Sequence, residues 1–177
     1  DAVGIVLDAD ATGMIAERNK VTRAAQAIQV DGDDITVQRN KVKEIGADRR
    51  NDHCFSVNGM NNTVTGNQAT DCHGDGINIS GTGNTIQANT LVDLIEDGID
   101  VGASDNIVDG NVVKNVNGVA LEVDLGVTGV TVRNNSVSKA RHMLCDEGTG
   151  TVLANNVSKN VDQPDQLNTG NTCPIDG

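Results

Sequence analysis

The chain has 177 residues, 25 acidic against 13 basic side chains, and a formal net charge of −12. It contains one Phe and no Trp or Tyr, so its core must be aliphatic and its surface has no aromatic platform. Both features exclude a single-stranded nucleic-acid site, which needs stacking and a positive groove. No stretch approaches the roughly 18 apolar residues of a membrane span.

Taken in chain order, short apolar pairs at i and i+2 recur as Ile5/Leu7, Ile28/Val30, Phe55/Val57, Ile77/Ile79, Ile99/Val101, Leu121/Val123 and Met143/Cys145. In most units seven residues lead from the end of a pair to a second apolar position, the series being Ala16, Val37, Val64, Ile86, Val108, Val132 and Val152. Three residues later stands an Asn, in the series Asn19, Asn40, Asn67, Asn89, Asn111, Asn135, Asn155 and Asn171, at intervals of 21, 27, 22, 22, 24, 20 and 16 residues. Period-2 runs this short, broken by Gly, Asn and Asp, are strands rather than helices. A repeat near 22 residues means a solenoid, in which no unit buries its apolar face without neighbours. The expected fold is therefore all-β, a single-stranded parallel β-helix of about eight coils, a solenoid whose right-handed sense is what the resemblance given below implies. It forms one domain over 1–177, with the last coil and a C-terminal cap at about 158–177. At ~4.8 Å per stacked strand the rod is about 35–40 Å long.

Asn tolerates the left-handed bend and, stacked once per coil, bonds the coils above and below through its amide. These Asn-rich coils resemble the right-handed parallel β-helix repeats of the pectate-lyase-like superfamily, in particular its NosD-type and alginate-epimerase-like members. The resemblance spans about residues 4 to 173. It implies a fold shared by lyases, hydrolases, epimerases and plain structural domains, and it places enzymatic work on the first sheet. The Asn-Thr-Asp and Gly-His-Gly strings of polygalacturonase-like hydrolases are not present, the nearest being Cys72-His73-Gly74-Asp75-Gly76.

Two units are longer than the rest. Their extra residues fall at Gly46–Asp52, before the Phe55 pair, and at Asp124–Gly129, after the Leu121 pair. Loops that interrupt a solenoid tend to mark its working face. Aligning the units gives two outward columns on that face. The first runs Val3, Gln26, His53, Asp75, Asp97, Val119, Arg141, and the second Val6, Gln29, Ser56, Asn78, Asp100, Glu122, Leu144. Asp52, His73, Glu96, Asp124, His142 and Asp146 lie close by in sequence.

Three readings compete for this acidic group. Asp75-Gly76 and Asp97-Gly98 are turn formers; or Asp75, Asp97, Asp100 and Glu122 ligate Ca²⁺, whose charge offsets their repulsion; or the carboxylates do acid–base work on a sugar, with crowding raising the pKa of one partner. In the catalytic reading Asp75, Asp97 and Asp100 transfer protons, His53 and His73 assist, and Arg141, Glu122, Asn78 and Arg49 hold substrate. The expected function is a secreted protein, periplasmic or extracellular, with a short acidic groove that binds or modifies a carbohydrate polymer as a lyase, hydrolase or epimerase. The alternative is a non-catalytic structural, adhesin or spike-like module. Cysteine positions allow Cys145–Cys173 and Cys54–Cys72 bridges, with Cys54 in an outward slot. The sequence opens on strand, so residues 1–7 are expected to be covered by a second copy or by preceding chain. Pro164 is expected to interrupt the last coil and cap it.

Overall fold

The computed structural model describes residues 3–46 and 52–167, the side chains of 163–167 excepted. The first coil is β1 (Val3–Leu7), β2 (Ile15–Glu17) and β3 (Lys20–Thr22); the second is β4 (Gln26–Val30), β5 (Thr36–Gln38) and β6 (Lys41–Ile45). The third is β7 (Phe55–Val57), β8 (Thr63–Thr65) and β9 (Gln68–Cys72), and the fourth β10 (Ile77–Ile79), β11 (Thr85–Gln87) and β12 (Thr90–Leu94). β13 (Ile99–Val101) and β14 (Ile107–Asp109) lead into the long β15 (Val112–Val123), then β16 (Thr131–Arg133) and the long β17 (Ser136–Asp146). β18 (Val152–Ala154), β19 (Val157–Lys159) and β20 (Gln163–Leu167) complete the described chain. Each long strand closes one coil and opens the next. Among the described residues this makes seven three-strand coils with β20 opening a further one, slightly fewer than the repeat count suggests; Asn171 lies outside the described residues.

Every strand pairs in parallel with its equivalent one coil away, giving three faces. The first face stacks β1, β4, β7, β10, β13, the second halves of β15 and β17, and β20. The second stacks β2 through β18, and the third β3, β6, β9, β12, the first halves of β15 and β17, and β19. Inside lie the aliphatic columns. Ile28, Phe55, Ile77 and Ile99 are sealed from solvent, as are Val37, Val64 and Ile86 on the second face.

At the second corner the Asn ladder forms as expected. Asn89 is representative: its Oδ1 accepts the backbone and side-chain N–H of Asn67, and its Nδ2 donates to Asn111 Oδ1 and to the Val64 carbonyl. A second ladder, not anticipated, runs through Asn62, Asn84 and Asn106 at the preceding corner, the backbone N–H groups of Asn62 and Asn84 each donating to the next Oδ1. Left-handed backbone recurs at the bends, for example at Asp71, Asp93 and Asn115.

The register changes by one residue at the C-terminal end. Between Val116 and Val119, β15 has two residues where β17 has one, so Leu121 pairs with Leu144 and Val123 with Asp146. The interior pair is thus Leu144/Asp146 rather than Met143/Cys145. In the next corner Val132 pairs with Leu153, Val152 is exposed, and Asn156 rather than Asn155 continues the ladder below Asn135. Cys54 and Cys72 are disulfide-bonded, and both are buried, so Cys54 does not occupy the outward slot expected for it. Cys145 is disulfide-bonded as well; Cys173 lies outside the described residues. Pro164 does not break the last coil: it sits within β20, which pairs with β17, an outer position where a missing N–H is tolerated.

Candidate functional site

On the first face, His53, Asp75 and Asp97 occupy equivalent places just ahead of β7, β10 and β13. The structure gives them a bonding pattern of their own. His53 Nδ1 accepts the Asp75 backbone N–H at 3.1 Å, Asp75 Oδ1 accepts the Asp97 N–H at 3.0 Å, and Asp97 Oδ1 accepts the Val119 N–H at 2.6 Å. Each side chain therefore satisfies an amide of the next coil, much as the Asn ladders do. The Gly that follows is needed for close stacking rather than for a turn: a Cβ at Gly98 would stand 2.2 Å from the Ala120 carbonyl oxygen, and neither Gly76 nor Gly98 has positive φ.

One acceptor per residue is spent on that ladder, and the remaining polar atoms meet the second column. Asn78 Nδ2 donates to Asp100 Oδ2 at 2.8 Å and to Asp75 Oδ2 at 3.3 Å. The Glu122 carboxyl lies against that of Asp97, a contact that favours its protonated form. Asp100 Oδ1 is buried with no hydrogen-bond partner. Burial, then the charges of Asp124, Asp75 and Asp97, push the Asp100 carboxyl up to about 8. Burial, then Asp97, push Glu122 up to about 9. Asp124 is also raised, by burial and then by Glu147 and Asp75. For His53, burial opposes protonation, but Asp75, Glu96 and Asp100 outweigh it and its pKa rises.

The face thus brings together His53, Asp75, Asn78, Asp97, Asp100 and Glu122. His73 lies at the corner ahead of them, its N–H bonded to the Ile45 carbonyl. Arg141 does not join the first column: the one-residue slip puts the buried His142 opposite Val119, and Cys145 rather than Leu144 opposite Glu122. Arg49 lies outside the described residues. Glu96 was noted in sequence only as a neighbour. One ligand atom each from His53, Asp75 and Glu96 fall within 4.8 Å of one another, which column alignment could not show because Glu96 precedes the aligned position by one residue.

Fold and face together define a parallel β-solenoid with a polar, acid-lined first sheet. The sequence profile described as "Right handed beta helix region" matches residues 3–162, and the chain belongs to that family. Searches of curated proteins and of solved structures return no match.

Proposed function

We propose that the first face binds a carbohydrate polymer and performs acid–base chemistry on it, with Asp97, Asp100 and Glu122 as the working carboxyls. The observation that carries this reading is the Asp100 oxygen that is buried without a partner, on the rung next to a Glu122 carboxyl that burial and Asp97 hold in its protonated form. Protonated and ionised carboxyls side by side are what glycosidic cleavage needs as acid and base. Asp100 and Glu122 are paired across neighbouring rungs, whose strands stack ~4.8 Å apart, so that carboxyls of adjacent coils could flank one glycosidic bond. Neither outward column contains Arg or Lys among the described residues, so β-elimination, which needs a cation against the uronate, would depend on a bound metal ion, whereas hydrolysis would not. Asp75 and Asn78 would position the sugar. The same hard oxygens suit Ca²⁺, and Asp75, Asp97, Asp100 and Glu122 would hold it in place of the Glu122 proton; bound there, it would supply positive charge to an anionic sugar.

The test is turnover on a panel of neutral glycans and polyuronates, with and without Ca²⁺, read as reducing ends for hydrolysis and as unsaturated products for elimination. Glu122→Gln and Asp100→Asn should each lower turnover by about 10²-fold or more while the fold persists. If the wild-type chain neither binds nor turns over any member, the reading fails and a structural module is left.

A further inference from the structure

The third face carries the opposite charge from the first. Its two outward columns begin Lys20, Lys41, Gln68 and Thr22, Lys43, Thr70, and continue through Thr, Val and Ser to Lys114 and Lys159. Among the described residues neither column contains an acid, although the chain has 25 acidic side chains against 13 basic ones. Lys20 and Lys41 are exposed and stand directly opposite each other on neighbouring strands, an arrangement of like charges that lowers stability. Neither forms an ion pair among the described residues. The acid at this corner is already engaged: Glu44 accepts from Arg23 Nε and from Lys43 Nζ, each at 2.9 Å. Asp71, at the next corner, acts on Lys43 by charge. Between these side chains lies an open depression of about 520 Å³, lined in part by Lys20, Arg23, Lys41, Lys43, Gln68 and Thr70.

We infer that this depression, on the first three coils of the third face, anchors the protein to a linear polysaccharide that carries carboxylate groups. An anion laid between Lys20 and Lys41 removes their repulsion. Thr22, Gln68 and Thr70 stand beside the lysines and both donate to and accept from hydroxyl groups, so the surface matches a chain in which charges alternate with hydroxyls. Three lysines on two rungs suit about one charge per sugar; a heavily sulfated chain would leave charges unpaired. Nucleic acid is excluded by the lack of aromatic side chains and by the net charge. An anionic membrane would require apolar side chains beside the lysines, and Val42, the aliphatic side chain beneath them, is buried. The carboxylates of the first face repel the same polymer. Anchoring by the third face therefore leaves the first open to a substrate of its own, and it does not depend on the first face acting on sugar.

Calorimetric titration with polygalacturonate in calcium-free buffer tests it, with neutral dextran, heparin and phosphatidylserine vesicles as comparisons. Polygalacturonate should bind and dextran should not, and raising the ionic strength from about 0.05 M to about 0.5 M should weaken binding at least fivefold. Replacing the facing pair, Lys20→Gln with Lys41→Gln, should also weaken it at least fivefold with circular dichroism unchanged. The pair Lys114→Gln with Lys159→Gln removes the same charge from the same face outside the depression and should change affinity less than twofold. Absence of polygalacturonate binding, indifference to salt, equal loss in the two pairs, or preference for heparin or vesicles would overturn the assignment. The substitutions leave every carboxyl of the first face in place, so failure here leaves the groove reading to its own test.

Discussion

At the scale of single residues, the titrating groups on the first face share one sign. Asp100 and Glu122 are raised from ordinary values of 3.8 and 4.5 to about 8 and about 9, and Asp124 and His53 are raised too. The folded chain therefore retains protons that the unfolded chain has released. The stability linked to Asp100 and Glu122 is fully present below about pH 4 and is lost as pH rises through about 8–9. Thermal melting should accordingly move to lower temperature between pH 5 and pH 9. Asp100→Asn should flatten that slope and stabilise the protein at pH 9 by on the order of 1–3 kcal/mol, a figure discounted for solvent reaching this half-open face. A slope unchanged by the substitution would show that Asp100 ionises like an exposed acid. The identity of these carboxyls was legible in sequence because column alignment works wherever the 22-residue spacing holds. Their bonding was not: nothing in the order of residues shows that His53, Asp75 and Asp97 each spend an atom on the next coil's amide, a structural role that is neither that of a turn former nor that of a site residue.

At the scale of elements, strand positions could be read from Ile28 to Val132 because apolar pairs, spacing and Asn agree there. They fail at the last coil, where one residue is missing opposite Asn117 and Gly118. With Asn155 and Asn156 adjacent, the period alone cannot choose between them; the residue three places back could have, since Leu153 is larger and more apolar than its alternative partner in a column. The second ladder of Asn62, Asn84 and Asn106 has the same 22-residue period, so periodicity alone does not distinguish it from the first. The observed register makes a direct prediction. Leu153 packs against the core while Val152 is 56% exposed, so Leu153→Asp should cost about 2 kcal/mol or more and Val152→Asp should be nearly silent in urea melts. The reverse order would restore the register expected from Asn155. The Cys54–Cys72 bridge, closing 18 residues of sequence separation, adds roughly 3 kcal/mol in the chain-entropy account within the third coil.

At the scale of the whole molecule, the sequence specifies a rod because each coil is incomplete by itself. The interior columns are continuous from Ile5 to Leu144 on the first face, and in the seventh coil the carboxylate of Asp146 takes an interior place, its Oδ1 bonded to the Gly148 amide and the Thr151 hydroxyl. That polar group is met within the coil, so the apolar column is interrupted there. On the first coil the outward-facing Ile15 is 64% exposed. Because neighbouring coils are each other's only core, a defect should be felt most where a coil has two neighbours. Ile99, fully buried between Ile77 and Leu121, is such a place. Ile99→Asp should bury an unpaired carboxylate, cost at least about 3 kcal/mol, and reduce hydrogen-exchange protection in both β10 and β15. The same change at Ile15, on the open first coil, should cost less than about 1 kcal/mol and leave β10 protected. Equal costs for the two substitutions, or loss of protection confined to β13, would contradict a core built from one continuous column.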